Sequence, residues 1–188
     1  MKKNNFYLLN LLLIVCFGFG LVSCSDDEND NNSDNHSKSV ELTINNKPVN
    51  TFSDFNNITY RVPNLTGSKS LTAAIYIDED NSSYLSIKFL NLDLENINVN
   101  DDLSNHKSYE VILYYEKEMY LLNDAFVTNK DRYQEYKGQV IVSEYDKSKQ
   151  NMKLEFKNIT LPLNRNMYPD YNHLLKVNGH IKCNIDIE

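Results

Sequence analysis

The sequence has no tryptophan and is poor in glycine, proline and cysteine: its 188 residues include 5 glycines, 4 prolines and 3 cysteines. So few glycines and prolines exclude a collagen-like or proline-rich repeat. Basic residues are also scarce, 19 against 26 acidic ones, and the formal net charge is -7. This acidic balance argues against nucleic acid as a partner, because a phosphate backbone requires a basic surface. The 41% of hydrophobic residues is typical of a globular chain.

A short apolar run lies near the beginning of the chain. It extends over Phe6–Val22 and is preceded by Lys2 and Lys3. A helix that crosses a bilayer needs about 20 apolar residues, and this run is shorter. A positive start followed by a brief apolar segment is typical of a secretory signal. The sequence therefore predicts a signal peptide over residues 1–23.

The run ends in Leu21-Val22-Ser23-Cys24, which resembles the lipobox of bacterial lipoproteins. In that family a peptidase cuts before the cysteine, whose thiol already carries diacylglycerol, and the new amino group is then often acylated as well. The resemblance implies cleavage between Ser23 and Cys24 and a covalent lipid on Cys24. It also implies that this lipid anchors the protein in a membrane, and no cofactor is expected. Two or three acyl chains give stable anchoring, whereas one is marginal. The alternative is a plain secretory peptide with a chance cysteine.

The segment that follows is polar throughout. Residues 25–37 contain no apolar side chain, so burial cannot offset the entropy of ordering them, and residues 24–38 are predicted to be an acidic flexible tether. The four residues directly after Cys24, Ser25-Asp26-Asp27-Glu28, resemble the surface-export signal of Bacteroidota lipoproteins. That resemblance implies an outer-membrane protein that faces the cell exterior. The alternative is an ordinary spacer, which leaves the protein on the periplasmic side.

Residues 39–188 are predicted to form a single all-β domain. The clearest evidence is the alternation of apolar and polar side chains over Leu175–Ile187, the period of a strand with one wet face. Other apolar segments alternate around polar turns and predict hairpins. The expected hairpins join 71–77 with 85–89, 109–115 with 119–127, and 138–146 with 152–163.

The sequence also predicts where the strands are interrupted and where loops connect them. The apolar phase slips at Asn158-Ile159, which predicts a bulge, and Gly179 interrupts the last strand, which predicts a bulge or bend. Residues 91–108 and 164–172 are expected to be loops, and 131–136 can hold a short helical turn. About eight or nine strands with short turns favour an antiparallel β-sandwich or a partly open barrel.

Few residues carry the pattern of a reactive or metal site. Cys183 is in phase with Ile181 and Ile185, which favours core packing over a role as catalytic nucleophile. The four histidines show no spacing of a zinc ligand pair, so no transition-metal site is expected. The runs Asp78-Glu79-Asp80-Asn81 and Asn100-Asp101-Asp102 offer oxygen ligands for calcium, but they lack the spacing of an EF-hand, and solvated turns are the alternative.

The 13 tyrosines are the most distinctive side chains of the domain. Exposed aromatic rings can stack on sugars, and the segment 164–172 combines aromatic and hydrogen-bonding groups beside a strand. Arg165, Tyr168 and Tyr171 are therefore the candidate ligand-binding residues. The alternative is a tyrosine-rich rim that covers the core.

Two functions remain open from the sequence. The first is a binding or structural module for a glycan, a peptide or an envelope protein. The second is a surface glycan-related hydrolase that uses a pair of carboxylates facing each other across a cleft. No nucleophile elbow and no phosphate-binding loop occur in the sequence, so no catalytic residue is assigned. The lack of a catalytic motif favours the binding module.

Overall fold

A computed structural model describes residues 38–52, 54–62, 68–123, 130–165 and 168–188. Within these ranges it contains ten strands, one α-helix and two short 3-10 helices. The strands are β1 (Ser39–Ile44), β2 (Lys47–Val49), β3 (Asn57–Arg61), β4 (Ser70–Tyr76), β5 (Tyr84–Leu90), β6 (Tyr109–Tyr115), β7 (Glu118–Asn123), β8 (Gln139–Asp146), β9 (Asn151–Arg165) and β10 (Tyr168–Ile187). The helix is α1 (Lys130–Tyr136), and the 3-10 helices cover Leu94–Asn96 and Leu103–Asn105.

The alternation seen in the sequence decides which face of each strand is buried. In β10, Val177, Ile181, Cys183 and Ile185 are buried, whereas the intervening side chains are half-buried or exposed. The same period of two places the apolar residues of β4, β5, β6 and β7 on one inner face. The all-β prediction is therefore confirmed.

The strands form one sheet that curves back on itself. Its hydrogen-bonded order is β2-β1-β10-β3-β4-β5-β6-β7-β9-β8, and a further pairing joins β10 to β9. This pairing closes β3 to β7, β9 and β10 into a ring of seven strands. Its weakest seam is between β7 and β9, where Tyr120 opposite Leu163 is the one register pair among the described residues. This arrangement agrees with the partly open barrel expected from the sequence.

Two hairpins turn through residues with positive φ. Asn45 and Asn46 connect β1 to β2, and Glu116 and Lys117 connect β6 to β7, all four with φ between 51° and 66°. Two central residues with φ > 0 match the right-handed twist of the flanking strands. Asparagine tolerates this conformation better than glutamate or lysine, so the second turn is the more strained.

Several finer expectations are confirmed and others are wrong. The three expected hairpins form, the second of them as far as Asn123, because its expected residues 124–127 lie outside the described ranges. Asn158 has φ 58° at a bulge between β9 and β10, where its backbone N–H donates to Asn178 Oδ1 over 2.7 Å. The expected loop at 164–172 is wrong, because β9 continues to Arg165 and β10 already begins at Tyr168. The expected antiparallel pairing is confirmed for most of the sheet, and the exception is that β10 runs parallel to β3 over Ile185–Ile187.

The core fills the space inside the curved sheet. Buried residues from nine of the strands belong to one cluster, and the connection between β5 and β6 adds Leu92, Leu94, Ile97 and Leu103 to it. At the end of β10, Cys183 is 2% exposed within this cluster. The sequence-based expectation that Cys183 packs in the core agrees with this position.

Cys183 provides a test of the register of β10. Burial raises the pKa of its thiol to about 11, so little thiolate is present at neutral pH. In a fragment of residues 39–188, where it is the only cysteine, a bulky thiol reagent should react slowly in the native state and quickly in denaturant. Cys183→Ser should lower the free energy of unfolding by about 1–3 kcal/mol. The neighbouring Lys182→Ser is the control, and equal losses for both would contradict the register.

Candidate functional site

The lipoprotein residues lie outside the described part of the chain. This applies to the cleavage position Ser23, the lipidation site Cys24 and the four residues of the export signal. The candidate sites within the described residues all lie in the β-domain.

A polar cluster occupies the tip of the β9–β10 hairpin. Arg165 and Tyr168 are opposite each other in the register, and Tyr168 is 77% exposed. The carboxylate of Asp170 lies 3.6 Å from Arg165 Nε and 2.9 Å from His173 Nδ1, and it accepts the backbone N–H of Asn172. The pKa of Asp170 is lowered by the N–H of Asn172, then by His173 and Arg165, so its carboxylate stays charged. Asp170 thus holds the hairpin tip together.

The third candidate of this segment, Tyr171, does not join Arg165 and Tyr168. Its ring packs on α1, with the Arg132 guanidinium 4.5 Å from the ring centre and the Tyr136 ring 6.1 Å away. Its hydroxyl is buried and has no hydrogen-bond partner among the described residues. The structure therefore brings together two of the three predicted binding residues and gives Tyr171 a packing role.

A second aromatic surface lies on the outer face of β4, β5 and β6. Tyr76 is opposite Tyr84, and Tyr84 is opposite Tyr114, so the three rings form a row across the strands, here called the tyrosine row. Their ring centres are 6.2 Å and 6.4 Å apart, and each residue is half-buried. Phe55, 46% exposed, and Met119, 37% exposed, continue the row at its two ends.

A polar row runs parallel to the tyrosine row, four residues further along each strand. It consists of Thr72, Lys88 and Glu110, with Lys88 directly opposite both others. Glu110 accepts a hydrogen bond from Asn123 Nδ2 on β7. A cavity of ≈ 180 Å³ lies against this row, lined in part by Lys88, Glu110 and Asn123.

Smaller side chains separate the two rows. Ala74, Ser86 and Ile112 are opposite one another between them, and their neighbours along each strand point into the core. Ala74 and Ser86 rise less above the sheet than tyrosine or lysine. The three rows together are here called the outer trough: the tyrosine row is its aromatic wall, the middle row is its floor, and the row of Thr72, Lys88 and Glu110 is its polar wall.

In each of the two acidic segments that could bind calcium, an aspartate carboxylate already accepts hydrogen bonds from other groups of the protein. Asp78 accepts hydrogen bonds from the backbone of Ser83 and the hydroxyl of Ser82, and such bonds from Ser83 and Ser82 lower its pKa to about 2. Asp102 accepts from Ser104 and from the backbone of Val140. Across the described ranges, no group of three or more acidic, histidine or cysteine side chains is arranged to hold a metal ion.

One set of side chains has the order of a nucleophile, a base and an acid. Ser39 Oγ lies 3.2 Å from His180 Nε2, and His180 Nδ1 lies 3.7 Å from Glu41 Oε2. The first distance permits proton transfer from a serine, whereas the second is too long for a hydrogen bond that orients the imidazole. The Glu41 side chain is 80% exposed, so its charge is screened by water. The set has the residue types of an acyl-transfer site without its geometry.

In the part of the chain that the structure describes, no helix is long and apolar enough to cross a membrane. Comparison of the chain with protein-family models, with curated proteins and with solved structures gives no significant match.

Proposed function

We propose that the protein is a lipid-anchored lipoprotein of the outer membrane that displays its β-domain on the cell exterior as a binding module. The lipobox-like sequence that ends at Cys24 supports the anchor. The fourteen residues 25–38 form the tether, which can reach about 48 Å when fully extended. The described fold begins directly after it, because β1 starts at Ser39.

The observation that supports a binding role is the half-exposed aromatic surface of the outer trough. Aromatic side chains contribute large apolar areas, and surfaces that keep several of them in contact with water commonly serve recognition. Here the tyrosine row lies outside a core that is complete without it. A glycan or an envelope protein is the class of partner that such a surface would meet outside the cell.

The export step is tested at the acidic start of the tether. Replacing Asp26, Asp27 and Glu28 by alanine should leave lipidation intact and strongly reduce digestion by protease added outside whole cells, because the protein would remain on the periplasmic side. The control replaces the later acids Asp30 and Asp34, which should leave surface digestion unchanged. Digestion that persists when Asp26, Asp27 and Glu28 are absent would refute the surface assignment.

A hydrolase is the second candidate, and the contact between Ser39 and His180 is the observation that favours it. If His180 activates this serine, a fluorophosphonate reagent should label the native protein, and Ser39→Ala should remove the label. We expect no labelling, since Glu41 is too distant and too exposed to orient the imidazole. Labelling that depends on both Ser39 and His180 would favour the hydrolase over the binding module.

A further inference from the structure

We propose that the outer trough binds a neutral glycan chain, which lies across β4, β5 and β6 with its sugar rings against the tyrosine row. This inference rests on the proposed binding function and gives it a site and a class of ligand. Four features of the domain support a neutral glycan as the ligand: the aromatic wall, the polar wall, the paired backbone beneath the trough and the charges around the trough.

The aromatic wall suits a sugar because both have apolar and polar surfaces. Each tyrosine presents an apolar ring and a hydroxyl that can donate and accept a hydrogen bond. A sugar ring has C–H groups that can pack on an aromatic surface and hydroxyls at its edge. Because neighbouring strands are about 4.8 Å apart, the row from Tyr76 to Tyr114 extends roughly 10 Å, which is room for more than one sugar.

The opposite wall supplies groups that bond hydroxyls. Thr72 can donate and accept, the ammonium of Lys88 donates, and the carboxylate of Glu110 accepts. These side chains are four residues away from the tyrosine row along the same strands, so a chain on the floor of the trough reaches both walls. The cavity beside Lys88 and Glu110 lies on the far side of the polar wall, toward Leu90 and Ser108.

The backbone beneath the trough argues against an extended peptide as the ligand. β4, β5 and β6 are each hydrogen-bonded to a strand on both sides, so a peptide cannot add to them as another strand. A polymer that lies on the surface through its side groups fits this shape better.

Charge selects against anionic polymers. Lys88 and Glu110 are opposite each other, so the positive charge of the lysine and the negative charge of the glutamate cancel within the polar wall. The turns beside the tyrosine row expose Glu79, Asp80 and Glu116, and the whole chain carries a net charge of -7. Polyanions are therefore repelled, whereas an uncharged polysaccharide is not.

The test is affinity electrophoresis of the full-length protein in detergent, through native gels that contain laminarin, mannan or soluble starch. We expect at least one of these neutral polysaccharides to retard the protein and polygalacturonate to leave its migration unchanged. Tyr84→Ala and Tyr114→Ala should each weaken the binding about tenfold or more, as expected for a central aromatic contact. Tyr84→Phe and Tyr114→Phe keep the rings and should retain most of the binding.

Val99→Ala is the control, because Val99 is 46% exposed but lies in the connection between β5 and β6, outside the trough. It should bind like the native protein, and the thermal midpoint of each variant should confirm that it is folded. Lack of binding to all three neutral polysaccharides overturns the inference, and so does a loss in Val99→Ala that equals the loss in Tyr84→Ala. Surface digestion of whole cells is measured separately, so failure of the glycan site is distinguishable from failure of the anchor or of export.

Discussion

Cys24→Ala should abolish incorporation of labelled palmitate and release the protein from membranes. The thiol of Cys24 is the atom that would carry diacylglycerol, and alanine has no nucleophile to replace it. Each buried methylene contributes about 0.8 kcal/mol to membrane affinity, so loss of two or three acyl chains removes stable anchoring. We expect a complete loss of label, and the protein should move from the membrane fraction to the soluble fraction.

Cys16→Ala is the matched control for this result. Cys16 lies within the apolar run, eight residues before Cys24, and a lipobox does not use it. Its replacement should leave palmitate, cleavage and membrane association unchanged. Palmitate that persists in Cys24→Ala, or that disappears in Cys16→Ala, would contradict the interpretation of residues 1–23 as a lipoprotein signal peptide.

The sequence was most informative where one strand has one buried and one wet face. The alternation over Leu175–Ile187 predicts both a strand and the burial of Cys183, and the structure confirms both. Hairpins were predictable for a related reason, because their strands are adjacent in the chain and their turns are polar. The slip at Asn158 was visible as a break in the same period.

Long-range pairings were not predictable in this way. The contact of β10 with β3 joins strands more than 100 residues apart, and no local pattern records which strand will be the neighbour. The sequence predicts a loop at the hairpin tip, because Pro169 and several polar residues interrupt the alternation there. Pairing between β9 and β10 nevertheless continues through Arg165 and Tyr168, with an irregularity between Asp170 and Leu174.

The tyrosine row was missed because its residues are distant in the chain. Tyr114 lies close in the chain to Tyr115 and Tyr120, yet Tyr114 points outward, whereas Tyr120 is buried and its hydroxyl donates to Glu118. Tyr76 and Tyr84 flank the turn between β4 and β5, and Tyr114 lies near the turn between β6 and β7. Aligning the two hairpins by their buried residues would have placed all three rings in one row.

Gly179→Ala should produce a large loss of stability in the domain. Gly179 lies in β10 between Leu42 of β1 and Phe156 of β9 in the register, and its φ of +156° is rarely adopted by residues with a side chain. A Cβ at this position would be 2.1 Å from the carbonyl oxygen of Glu41 and 2.9 Å from Phe156 Cε2. The strands must separate to relieve the first contact, because that oxygen belongs to the backbone.

We expect Gly179→Ala to lower the free energy of unfolding by about 3 kcal/mol, measured by urea denaturation. The midpoint of thermal unfolding should fall by roughly 6–12 °C for a domain of this size. Lys176→Ala, an exposed change in the same strand, should cost less than about 0.5 kcal/mol. Adding Phe156→Leu should not rescue Gly179→Ala, since the backbone contact with Glu41 remains after the ring is removed. Full rescue by that change, or a cost as small as that of Lys176→Ala, would mean that β1 does not approach β10 as closely as described.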